Sequence, residues 1–113
     1  MLAIVVGGIL LEQGKSGITD IVEKELNLLG RHLDVLKAVK EQGPIGIIRL
    51  SQMTGQPQHM IGYSLRTLGK DGVIKPSPNG AIVTDNIHEA LGALKSTLKD
   101  IGNAITQLKK KLK

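Results

Sequence analysis

LSQMTGQPQHMIGYSLRTLGKDGVI, residues 50–74, decides how the rest of the chain is read. Gly55 closes a stretch from Arg49 to Thr54 that has room for only a short helix. Gln56-Pro57 restarts the chain, and proline suits a first helical turn because its missing N–H would have no intrahelical partner there. Ile61, Leu65 and Leu68 then recur at i, i+4 and i+7, which predicts a helix from about Pro57 to Lys70 with one apolar face. Asp71-Gly72 ends it. Beyond that the period becomes that of extended chain: Val73-Ile74-Lys75, a turn through Pro76 to Gly80, then Ala81 to Thr84. Asn79-Gly80 is the hairpin signal, since both residues tolerate the positive φ of tight hairpins.

Outward toward the N-terminus, RHLDVLKAVKEQ (31–42) sets Leu33, Leu36 and Val39 together with Val35 beside them, and stops at Gly43-Pro44. The Ile-rich PIGII (44–48) suits a brief extended connection. Upstream, Ile18, Val22, Leu26 and Leu29 predict a separate helix from about Asp20 to Leu29, capped by Ser16 or Thr19 and ended by Gly30. Toward the C-terminus, Thr84 or Asp85 is the expected cap of a last helix. Its stripe of Ile87, Leu91, Leu94, Leu98, Ile101, Ile105, Leu108 and Leu112 alternates four and three residues to the end of the chain.

Three segments follow: an apolar stretch and accessory helix over 1–30, a central unit over 31–85, and a helix over 86–113. The fold class is mostly α with a small β-hairpin. Helix, short helix, glycine turn, helix, Asp-Gly stop and hairpin, in that order, make a winged helix-turn-helix, flanked by an N-terminal helix and a long, coiled-coil-like C-terminal helix. A chain of 113 residues leaves room for one such domain and little more. With one Tyr and no Phe or Trp, its core has to be aliphatic.

The net charge of +5 is unevenly placed. Residues 1–30 carry two Lys against four acidic groups, residues 31–85 seven basic against four acidic, and residues 86–113 six basic against two. The excess therefore lies in the central unit and the last helix, which favours an anionic partner for those parts.

The stretch from Ile18 to Asp85 resembles small archaeal winged-helix proteins described as predicted transcriptional regulators, and more distantly the Lrp-like and MarR-like DNA-binding domains. Its most telling parts are residues 50–74 and the hairpin after them. The resemblance implies duplex DNA binding by the third helix and the hairpin wing, no catalytic residue and no cofactor. Related helices often carry a basic residue where this chain has Gly62, a departure that implies either a close approach at that point or a weaker contact.

If Ile61, Leu65 and Leu68 face the core, Gln58, His59, Gly62, Tyr63, Arg66 and Lys70 turn to solvent. Arg66 suits a guanine edge, Gln58 an adenine edge, and His59 and Tyr63 a phosphate or a base. The helix start at Gln56-Pro57 offers unpaired N–H groups to a phosphate. Arg49 and Ser51, opening the short helix, are candidate phosphate contacts. Lys75 is the only charge of the wing, which therefore positions more than it reads. Against this, a polar face with one Arg and one Lys is also what many soluble helices present, and Tyr63 is equally suited to half-buried packing.

The eight-residue stripe of the last helix exceeds what a domain this size needs for its own core, so the expected assembly is a homodimer, parallel, antiparallel or bundled with residues 1–30. A dimer suits two half-sites on one duplex. Lys109, Lys110, Lys111 and Lys113 form a basic end that complements a helix dipole even without a partner.

Other classes are disfavoured. The apolar run Met1 to Leu11 is shorter than the roughly 20 residues of a membrane span and lacks the flanks of a signal peptide, so it reads as a buried strand or oligomer contact. The absence of Cys fits a cytoplasmic protein. Gly8 to Ser16 only imitates a phosphate-binding loop, with five residues between its glycines where four are needed. His32, His59 and His88 are too scattered for a metal, and no enzyme is expected. The competing reading is a protein-binding adaptor module on the same scaffold.

Overall fold

The computed structural model describes the backbone of residues 3–6 and 9–12 and the whole of residues 17–113. Two short strands, β1 (Ala3–Val6) and β2 (Ile9–Glu12), pair antiparallel with Val6 opposite Ile9. Four helices and a second hairpin follow: α1 (Gly17–Gln42), α2 (Ile47–Thr54), α3 (Gln58–Lys70), β3 (Ile74–Ser77), β4 (Gly80–Val83) and α4 (Ile87–Lys110). The described chain is thus mostly helical, with a small antiparallel hairpin after α3 and a long C-terminal helix.

The expected break at Gly30 does not occur: α1 runs unbroken through it, and Gly30 is buried inside the helix. Glycine costs about 1 kcal/mol in a helix interior. Leu26, Leu29, Leu33 and Leu36 carry one apolar face across the position, and no proline follows until Pro44, so the helix continues. Thr19 consequently lies inside α1 rather than capping it, and Ser16 lies outside the described residues, as does the end of the loop-like Gly8 to Ser16 segment.

Val35, Leu36, Ala38 and Val39 of α1, Leu50 of α2, Ile61 and Leu68 of α3, Val73, Ile74 and Ile87 form one aliphatic core. It lies where α1, α2 and α3 meet the second hairpin. Gly55 ends α2 in the left-handed region at φ 72°, its N–H donating to the Ser51 carbonyl, and the chain turns into α3 within three residues. α2 itself starts two residues earlier than its expected start at Arg49, at Ile47.

Ile45 does more than connect. It bridges Ala81 with backbone hydrogen bonds of 2.8 and 3.2 Å, so β4 has β3 on one side and Ile45 on the other. Gly80 is the residue this arrangement requires: its φ is 127°, and a Cβ there would stand 2.5 Å from the Ile45 backbone. The tight turn is made by Pro78 and Asn79, with Ser77 opposite Gly80, and not by Asn79-Gly80. Asn79 has no positive φ, so only the glycine of that pair behaves as its sequence signal suggests.

Neither expected cap of α4 acts as one. Asn86 holds the position without a side-chain bond, and the Thr84 hydroxyl instead donates to the Gly72 carbonyl at 2.5 Å, tying the end of β4 to the turn after α3. From Lys95 onward every residue of α4 is exposed, in a molecule 55 Å long and 20 Å thin. Among the described residues no helix is long and apolar enough to cross a membrane.

Candidate nucleic-acid interface

α3 is seated by Ile61, Ser64 and Leu68, all buried, with Leu65 half-buried beside them. At about 100° per residue, His59, Tyr63, Arg66 and Lys70 fall within about 40° of the pole opposite Ile61. All four are exposed. Gln58 is exposed at the helix start but lies only about 60° from Ile61, at the edge of this face. Gly62 is half-buried on the side of α2, where a Cβ would meet the Ile47 side chain at 3.5 Å and the Arg66 guanidinium at 3.4 Å.

Lys75, exposed on β3, lines the same groove as Arg66. These two cations approach from the helix and from the hairpin. Arg49 is exposed on α2 but does not line that groove. Ser51 and Gln56 serve the turn between α2 and α3: the Ser51 hydroxyl donates to the Gln56 carbonyl at 2.6 Å, and the Gln56 N–H donates to Thr54 Oγ1 at 3.3 Å. With its only proton engaged, the Ser51 hydroxyl is not free to donate to a phosphate. Its place is that of a turn lock.

Behind the exposed face lies a pair that sequence reasoning missed. His32 of α1 is buried, and its Nδ1 is joined to Ser64 Oγ of α3 by a 2.7 Å hydrogen bond. Its ring also packs on Tyr63, centroids 5.6 Å apart and planes tilted by 49°. Tyr63 is 45% exposed, so one face of its ring is held by His32 while the rest stands on the open side of α3. The signal was present in the spacing: Ser64 continues the Ile61, Leu65, Leu68 stripe at i+3, and His32 precedes Leu36 by four. Residue type concealed it.

Burial lowers the pKa of His32 below the ordinary 6.5, Arg31 lowers it further, and Asp71 opposes the shift. The folded state therefore prefers neutral His32. Its contribution to stability is complete above about 6.5, and is lost as pH falls from there toward the lowered folded value, because the unfolded chain then binds the extra proton. The urea midpoint should fall between pH 7.5 and pH 5, and a His32→Gln variant, which hydrogen-bonds but does not titrate, should show a shallower decline. Equal slopes would remove His32 as the cause.

The eight-residue stripe of α4 divides in two. Ile87 is buried in the protomer's own core, Leu91 packs against that core, and Leu94 lines a cavity of about 150 Å³ between α1, α3 and α4. Ile87 is thus corrected from a dimer contact to an intramolecular one, while Leu91 and Leu94 are half-buried within the protomer. Leu98, Ile101, Ile105, Leu108 and Leu112 are exposed, from 36% at Leu98 to 87% at Leu112. Ile21 and Val22 are exposed in the first turns of α1.

Among the described residues no group of His, Cys, Asp and Glu has the arrangement of a metal site. No protein-family model matches this chain and no curated protein matches it either, so its function has to be read from the residues of α3 and the hairpin.

Proposed function

We propose that residues 31–85 are a winged helix-turn-helix and that the protein is a sequence-specific duplex DNA-binding transcriptional regulator acting as a homodimer. The observation that carries the reading is the exposed face of α3, where His59, Tyr63, Arg66 and Lys70 share one side of a helix seated in the core, beside Lys75 of the hairpin. A helix held this way is rigid enough to enter a major groove, where Arg66 with its planar guanidinium suits a guanine edge bidentately. Tyr63, braced by His32, offers its hydroxyl to a phosphate or base from a fixed ring. The five exposed apolar residues of α4, with Ile21 and Val22 of α1, are the surface that a second copy would cover.

Titration of duplex DNA at 50 and 200 mM salt tests the reading. Affinity should fall by at least about tenfold, since each phosphate neutralised releases counterions. Arg66→Ala should cost about 1–3 kcal/mol at the preferred site and flatten the preference among sequences. Feeble, salt-insensitive binding, equal in the wild type and the variant, would favour a protein-binding module on the same scaffold.

A further inference from the structure

We propose that the groove between α3 and the second hairpin is a binding site for a small aliphatic monocarboxylate. The groove is open to solvent and has a volume of about 510 Å³, comparable to that of small-ligand sites. Its walls are apolar, from Ile45, Ile47, Leu65, Ile74, Pro76 and Ala81. Among the described residues its only charged ones are Arg66 and Lys75, and no acidic side chain lines it. A trough that is apolar apart from two cations, with no anion among the described residues, matches a ligand with a hydrocarbon body and an anionic head, of which a carboxylate is the simplest. Bare phosphate would leave the apolar walls uncovered, and a neutral hydrocarbon would leave both cations unpaired.

Gly69 supplies a second observation. It also lines the groove, it lies in helical backbone, and no atom of the described residues stands within 4 Å of where its Cβ would be. Glycine weakens a helix, and here neither a positive φ nor a close approach requires it. Its effect is to leave the groove open along the side of α3. Gly80 on the opposite wall is different, being required by the Ile45 backbone.

The site stands on the groove alone, while its consequence rests on the DNA-binding reading above. Arg66 and Lys75 would serve both the carboxylate and the duplex, so the two ligands exclude one another and the carboxylate acts as an effector that releases DNA.

The test is an amide chemical-shift titration of the full chain with octanoate, and with octanol as the uncharged counterpart. Octanoate should give saturable shifts at Ile45, Leu65, Gly69, Ile74 and Ala81, and octanol should bind at least fivefold more weakly. The double substitution R66Q/K75Q should bring octanoate down to the level of octanol. G69L, which fills the groove from the helix side, should weaken octanoate at least tenfold, and its own amide spectrum reports whether the fold is kept. G69M, with an unbranched side chain, is the second occluding variant. Shifts confined to the exposed stripe around Ile101 and Ile105, equal affinity for octanoate and octanol, or full binding by a folded G69L would each overturn the site. In a parallel DNA titration octanoate should raise the apparent Kd. An unchanged Kd with the groove saturated would overturn the effector role. A wild type that binds no DNA but shows the groove shifts would refute the DNA reading and leave the carboxylate site standing.

Discussion

Ile61→Ala should lower the free energy of unfolding by roughly 2–5 kcal/mol, read from urea denaturation. Ile61 has no exposed surface and lies in α3 at the centre of the aliphatic core. Removing its outer carbons forfeits their transfer free energy and leaves a void between elements whose backbones are already fixed, Ile45 by its bridge to Ala81 and α2 by its glycine cap. Domains are stable by only about 5–15 kcal/mol, so this one change consumes a large share of the margin. The control is Ile48→Ala on α2, where the side chain is 60% exposed, and the shift should stay within about 0.5 kcal/mol. A comparable loss at both positions would mean that α3 is not seated as described. DNA affinity of the Ile61 variant should fall in step with its folded fraction, whereas Arg66→Ala should bind less while remaining fully folded.

A chain ended after Lys95 should sediment as a monomer, while the full chain sediments as a dimer. The five apolar residues beyond that point are exposed. Covering the surface they still expose, about half of that of five free side chains, would contribute on the order of 4–8 kcal/mol per protomer. That matches the roughly 4–15 kcal/mol that association costs in lost rigid-body freedom, and both copies contribute. The cut falls after Leu94 because Ile87 belongs to the protomer's core, Leu91 packs against it and Leu94 lines a cavity beside it. Ending the chain after Asp85 would strip part of the core and confound assembly with unfolding. A truncated chain that folds and still dimerises would transfer the interface elsewhere, with Ile21 and Val22 of α1 the next surface to substitute.

Both experiments depend on a division that the pattern of residues did not make. The stripe of α4 has one period from Ile87 to Leu112, and period records which face is apolar but not what covers it. In the folded chain Ile87 and Leu91 join the core and Leu94 lines a cavity shared with α1 and α3, while the remaining positions are exposed. For the same reason Arg66 and Lys75 could be marked as cations but not as neighbours across one groove.

Sequence alone determined the features whose causes lie within a few residues. Gly55 stops α2, the Ile61-Leu68 spacing places the buried side of α3, and the change of period after Gly72 marks the second hairpin. The exposed set His59, Tyr63, Arg66 and Lys70 follows from that spacing, since one buried face fixes the opposite one. Tertiary structure decided what depends on a partner far along the chain. Gly80 is needed because Ile45 crosses behind it, and Ser64 is buried because His32 meets it 32 residues away. Residues 50–74 thus specify an α-turn-α unit by themselves, but the brace behind Tyr63 and the groove beside Arg66 exist only once α1 and the hairpin have closed upon it.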